Sequence, residues 1–133
     1  MNIKKRMIHK FLAYSKNTIF EQTYVWEDAF LKYEILKNIE FDNVEPILFF
    51  FESEEYFWIF TDKSILIFEE TKRCILYEDI KKVSTIRDMP SKNLFNKVKL
   101  SLNNDTFEIL FVENWHIIHN ILVNVLSSSL KSI

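Results

Sequence analysis

The sequence predicts an α+β fold that is mainly β: a seven-stranded antiparallel barrel or sandwich, closed by a C-terminal helix and preceded by an N-terminal helical segment. Three observations predict it. After Ile47, short runs rich in Ile, Phe, Tyr, Trp and Val recur about every ten residues, which is the spacing of successive antiparallel strands. From Asn114 to Leu130 the apolar positions change to the period of a helix. Upstream, the stretch from Ile19 to Ile39 has neither Gly nor Pro and is rich in Glu, Lys, Leu and Ile, a helix-forming composition.

The elements follow in order. Residues 1–16 hold Lys4, Lys5, Arg6, Lys10 and Lys16 with no acid, interleaved with Ile3, Met7, Ile8, Phe11 and Leu12, the pattern of a basic amphipathic helix. Thr18 and Glu21 have the spacing of a capping box, so one helix is expected over 19–39. Its wide stripe of Phe20, Val25, Trp26, Phe30, Leu31, Ile35, Leu36 and Ile39 suits a helix laid across a sheet. Pro46 pushes Glu45 toward extended geometry and opens the β region.

Seven strands are expected at Ile47 to Phe51, Tyr56 to Thr61, Ser64 to Glu69, Arg73 to Tyr77, Lys82 to Ile86, Lys97 to Leu102 and Thr106 to Val112. Turns fall at Glu52 to Glu55, Asp62-Lys63, Glu70 to Lys72 and Asn103 to Asp105, where Asn and Asp must supply the left-handed conformations that glycine usually provides. Asn114 is placed to cap the final helix, whose buried stripe is Trp115, Ile118, Ile121, Leu122, Val125, Leu126 and Leu130. His116, Asn120, Asn124 and Ser127 share its opposite face. Residues 1–44 are expected to pack on the β domain of 45–133, giving one domain.

Composition removes whole classes of function. The chain of 133 residues contains no glycine, the residue that phosphate loops, dinucleotide fingerprints and nucleophile elbows require. A single cysteine, Cys74, can form neither an internal bridge nor a Cys-based metal site, which fits a reducing cytosol. The N-terminal stretch lacks the apolar core of a secretory signal. The longest clean apolar run, Ile47 to Phe51, is far too short to cross a bilayer as a helix. A low-Gly, Ile-, Asn- and Lys-rich composition is what an AT-rich bacterial or phage gene produces. The net charge of −2 gives no bulk attraction to nucleic acid, but it is unevenly laid out. Residues 1–16 are basic, 17–79 strongly acidic and 80–133 mildly basic.

Seven strands followed by one helix with Trp115 in its first turn is the element order of a pleckstrin-homology-like domain. The segment Trp58-Ile59-Phe60-Thr61-Asp62-Lys63-Ser64-Ile65-Leu66-Ile67 resembles the bacterial PH-like signature, in which a strand ending in Phe-Thr turns through Asn/Asp-Lys into an apolar strand. Tyr77-Glu78-Asp79-Ile80-Lys81-Lys82-Val83 is similar to the family's Tyr-x-x-Ile stretch, and Glu45-Pro46-Ile47-Leu48 to its strand start. The resemblance covers about residues 40–130. It implies a non-catalytic scaffold without cofactor, and it implies that homo-oligomeric assembly is within the family's repertoire.

The residues themselves point to protein contact, with a protein or a second copy as partner. The first strands are apolar on both faces, since Tyr56, Trp58 and Phe60 alternate with Phe57 and Ile59. Something must cover the outer face, and either the 19–39 segment or a partner can do so. Trp58 and Phe60 are therefore candidate contact residues, together with a basic rim of Lys81, Lys82, Arg87, Lys92, Lys97 and Lys99. An alternative is peripheral membrane association through Lys4, Lys5, Arg6 and Lys10; another is neutralisation of a toxin or phage component. The first hairpin turn, Glu52-Ser53-Glu54-Glu55, would repel a phosphoinositide. Glu113, His116 and His119 lack the spacing of a zinc helix. Ser84, Ser101 and Cys74 have no adjacent histidine, so no enzyme is expected. Single-stranded nucleic acid is disfavoured because the basic sixth strand carries no aromatic residue.

Overall fold

A computed structural model describes residues 2–85 and 97–131. Its elements are α1 (Ile3–Ser15), β1 (Thr23–Val25), α2 (Trp26–Lys32), β2 (Pro46–Ser53), β3 (Tyr56–Thr61), β4 (Ser64–Phe68), β5 (Lys72–Leu76), β6 (Ile80–Thr85), β7 (Lys97–Leu102), β8 (Phe107–Phe111) and α3 (Trp115–Lys131). The fold is α+β, mainly β, with a C-terminal helix, as the sequence predicts. The strands form two antiparallel sheets, one in the order β1-β2-β3-β4-β5 and the other β6-β7-β8. They do not close into a barrel.

Side chains bridge the sheets where a closing ladder would run. Trp58 Nε1 of β3 donates to the Phe111 carbonyl at 2.7 Å, and Tyr56 Oη accepts from the Phe111 N–H at 3.0 Å. The free backbone groups of one β8 edge residue are thus satisfied by β3 side chains rather than by a strand. Arg73 of β5 reaches across to Glu108 of β8 and also pairs with Glu69 at 3.1 Å.

The expected helix over 19–39 is broken in two. The capping box does not form, because the backbone N–H groups of Glu21 and Gln22 and the Thr23 hydroxyl all donate to the Glu113 carboxylate. That anchor holds Thr23-Tyr24-Val25 extended, and they pair with Phe50, Phe49 and Leu48 as an eighth strand. α2 then runs only seven residues, and a 3₁₀ turn covers Glu34–Asn38. Extended Tyr33 separates the two. The break lets its ring settle 5.3 Å from Phe49 and 4.6 Å from Phe51.

The central strands of the five-stranded sheet are buried on both faces, while β5 leaves Lys72, Cys74 and Leu76 exposed. On one side Leu48, Phe50, Trp58, Phe60, Ile65 and Ile67 join Met7 and Phe11 of α1 and the apolar stripe of α3 in the main core. On the other, Phe49, Phe57, Ile59 and Leu66 are sealed by Ala29 and Leu36, with Tyr24, Trp26, Tyr33 and Phe41 around them. The segment from Tyr24 to Phe41 is therefore the outer cover.

α1 begins at Asn2, whose side chain accepts from the Lys4 N–H at 2.7 Å, a standard N-cap. The helix lies along the polar side of α3: Asn120 donates to Tyr14 Oη, and Asn124 accepts from Arg6. Left-handed backbone occurs at Asn43, Asp105 and Asn114 among the described residues. Only Asp105 falls in an expected turn; the other turns manage without it. The β3–β4 turn is held instead by Thr61, whose hydroxyl accepts from the N–H groups of Lys63 and Ser64. Asn114 does not cap α3 with its side chain, which donates to the Ile19 carbonyl.

Truncating Phe60, fully buried in the main core, is expected to cost about 3–5 kcal/mol in urea unfolding. Truncating Leu31, which is 83% exposed on the cover, is expected to change stability by less than about 0.5 kcal/mol.

Candidate functional site

Trp58 and Phe60 are not surface residues. Both are fully buried, their rings stacked 4.1 Å apart, and the doubly apolar pattern that singled them out is explained by the two covers. The segment from Tyr24 to Phe41, not a partner, occupies the outer face.

The second sheet behaves differently. In β7, Val98 and Leu100 point into the core while Lys97, Lys99 and Ser101 alternate outward, as expected of a strand with one wet face. The register sets Lys97 opposite Phe111, Lys99 opposite Ile109 and Ser101 opposite Phe107. On the other side, Ser84 and Lys82 of β6 face Lys99 and Ser101. Pairing thus assembles on one face what the sequence keeps apart: three lysines and the side chains of Phe107, Ile109 and Phe111.

Phe107 is 58% exposed and Phe111 39%, which is unusual for phenylalanine. The Lys99 ammonium sits 4.6 Å from the Phe107 ring centre, and that of Lys97 5.5 Å from the Phe111 ring. These are cation–π distances. Tyr56 props Phe111 from beneath in an edge-on contact at 5.5 Å. The face is therefore apolar in its middle and cationic over its rings.

Of the basic rim expected from the sequence, the structure brings Lys82, Lys97 and Lys99 to this face. Lys81 is turned to the end of the sheet and paired with Asp105 at 2.8 Å, which holds the Asp105 carboxyl below its usual range. Arg87 and Lys92 lie outside the described residues, as does Ile86 at the end of the expected fifth strand. The sequence signal for Phe107 and Phe111 is their alternation with Glu108 and Leu110, which gains meaning only once β7 is paired beside them. The absence of aromatics from the basic strand itself does not argue against nucleic acid, since the neighbouring strand supplies them.

The basic residues of the N-terminal segment sit on α1. Its apolar residues Met7 and Phe11 are buried in the main core with Ile3 and Ile8 packed against it, while Leu12 is exposed. Lys4 is paired with Glu45 at 2.5 Å, and that hydrogen bond raises the lysine's pKa above its ordinary value. Lys5, Arg6 and Lys10 stand along one side of α1, beside α3.

Elsewhere, Glu113 and His119 have structural roles. Glu113 binds the 21–23 backbone and hydroxyl. His119 hydrogen-bonds the Val83 carbonyl at 3.2 Å, and His116 is exposed. Among the described residues no group of His, Cys, Asp and Glu is arranged to hold a metal. Cys74 is exposed. No described helix is long and apolar enough to cross a membrane. No family model, curated protein or solved structure matches this chain.

Burial raises the Tyr56 phenol to about 12 and pushes Tyr77, whose hydroxyl donates to the Thr61 carbonyl, well above its ordinary value. A phenol raised on folding contributes stability that is complete below its unfolded value and is lost as pH rises through the folded one. Urea midpoints are expected to fall between the ordinary value of 10 and about 12. In Tyr56→Phe the fall should be smaller; an identical fall in both proteins would remove Tyr56 from the linkage.

Proposed function

We propose that this chain is a non-catalytic binding protein of pleckstrin-homology-like build, which works by docking an acidic protein surface on the outer face of β6–β8. One observation carries the reading: Phe107, Ile109 and Phe111 form an exposed apolar strip overlaid by Lys97 and Lys99. Exposed aromatics are enriched in protein contact surfaces, and the lysines around them supply the charge that steers an acidic partner. The run of seven antiparallel strands from β2 to β8 followed by an apolar-striped helix supports the family reading, while the added β1 and the open edge between the sheets depart from a closed seven-stranded barrel.

Protein is favoured over single-stranded nucleic acid by the spacing of the rings. Four residues along a strand separate Phe107 from Phe111 by about 13 Å, with aliphatic Ile109 between them. Successive bases would find no continuous stack. An extended or helical peptide surface with acidic flanks matches both the strip and its charges.

The chain carries such a surface itself. Glu52, Glu54 and Glu55 are exposed at the β2–β3 hairpin, so one copy can present acids to the lysines of the next. A head-to-tail contact of this kind generates rings or filaments.

Light scattering across protein concentration, at low and high salt, tests the proposal. Association is expected at low salt and should weaken as salt screens the contact. Lys99→Glu and Phe107→Ser should each abolish it with thermal stability retained, and Glu54→Lys should restore partial association to Lys99→Glu. A single-chain mass at every concentration in low salt overturns self-docking.

A further inference from the structure

The five-stranded sheet ends at β5, and among the described residues no strand pairs with its outer side. Register shows which backbone groups are left over there. The Tyr77 N–H donates to the Lys63 carbonyl at 3.0 Å, in step with the β4–β5 pairs Ser64–Leu76, Ile65–Ile75 and Leu66–Cys74. Along an antiparallel strand the backbone groups of successive residues point alternately to one neighbour and the other. Arg73 and Ile75 therefore turn theirs to β4, whereas Lys72, Cys74 and Leu76 turn theirs outward.

The outward groups have no partner among the described residues. At the β8 edge, by contrast, Trp58 and Tyr56 take up the Phe111 carbonyl and N–H. A strand edge left open in this way is a template for another strand.

Side chains on the same edge add a charge pattern. Lys72, Cys74 and Leu76 are exposed and line a groove of about 270 Å³, to which Glu40 and Asp42 also belong. The stretch carrying Asp42 is tied to the β3–β4 turn, where the Asn43 carbonyl accepts from the Lys63 ammonium at 3.1 Å and the Glu45 carbonyl from the Asp62 N–H at 3.0 Å. That turn adjoins the Leu76 end of β5, so Asp42 stands at one end of the groove and Lys72 at the other. Neither Asp42 nor Lys72 makes an ion pair among the described residues.

We propose that β5 pairs with β5 of a second copy of this chain, antiparallel about a two-fold axis at Cys74, so that two five-stranded sheets become one. Cys74 then lies opposite the partner's Cys74 and Lys72 opposite the partner's Leu76, and each such pair exchanges two hydrogen bonds. Every outward group is satisfied. The same register brings Lys72 to the end of the groove that holds the partner's Asp42, and the contact is reciprocal, as a two-fold interface requires. A lysine on an edge strand ordinarily deters pairing; in this register it meets a carboxylate. An unrelated strand could fill the ladder, but the second copy also matches the order of charges. The contact is separate from the docking face on β6–β8.

Sedimentation equilibrium of the full chain carrying Phe107→Ser, which removes the β6–β8 contact, tests it. A monomer–dimer equilibrium is expected at low salt. In Leu76→Pro the lost N–H is one that faces away from β4, and the φ of −72° at Leu76 is one that proline adopts. The dimer dissociation constant should rise by about tenfold or more in this variant, two hydrogen bonds being lost per dimer, with circular dichroism unchanged. Lys72→Glu, which leaves the ladder intact, should weaken the dimer by about fivefold, and adding Asp42→Lys should restore it. This charge pair decides the matter if Leu76→Pro alters the fold. A short bismaleimide should join two copies through Cys74. A single-chain mass at every concentration, or a dimer indifferent to a folded Leu76→Pro or to Lys72→Glu, overturns the proposal.

Discussion

A five-stranded sheet that is apolar on both faces must be covered twice, and the rest of this molecule follows from that requirement. Apolar area left in water would cost about 25 cal/mol for each Å², and the strand cores are dense with large rings. One face receives α1, α3 and the three-stranded sheet. The other receives Tyr24 to Phe41, which has to stay close to the sheet along its whole length. A straight helix cannot do so while its chain is also tied to the β2 edge. The segment is therefore spent as a short strand, two turns of helix and a 3₁₀ turn, with Tyr33 turned onto Phe49 and Phe51.

Among the described residues the second sheet has no second cover, so exposed apolar side chains remain there, as they do at Leu12, Ile19, Phe30, Leu31, Leu76 and Val123. β6–β8 has one buried side and one wet side, and the wet side is where Phe107 and Phe111 stay exposed. The two sheets are joined through Tyr56, Trp58, Arg73, Glu108 and the Phe111 backbone. The strand that presents the exposed rings is thus fixed from behind by the best-packed strand of the core. Rigid placement of an apolar strip suits binding, because little ordering remains to be done when a partner arrives.

The strands were legible because alternation and turn residues are local properties. Pro46, the Asp62-Lys63 turn and the Asn103 to Asp105 turn each mark a boundary without reference to anything distant. The final helix was legible for the same reason. β1 was not, since three residues carry too little pattern, and the bonds that hold Thr23 extended come from Glu113, ninety residues away. Composition alone favours helix there. Trp58 and Phe60 illustrate the reverse failure: alternation identified a doubly buried sheet, but not which covering would be the chain's own. The interaction face needed strand register, because Lys97 and Phe111 meet only when β7 and β8 pair.

Hydroxyl-radical footprinting of the phenylalanine and tryptophan side chains tests the two-cover account most directly. Phe107 and Phe111 should be oxidised rapidly, while Phe49 and Phe57 beneath the Tyr24 to Phe41 cover, and Trp58 and Phe60 in the main core, remain protected. Rapid labelling of Phe49 and Phe57 at the rate of Phe107 would contradict it, since the outer face of the five-stranded sheet would then be open.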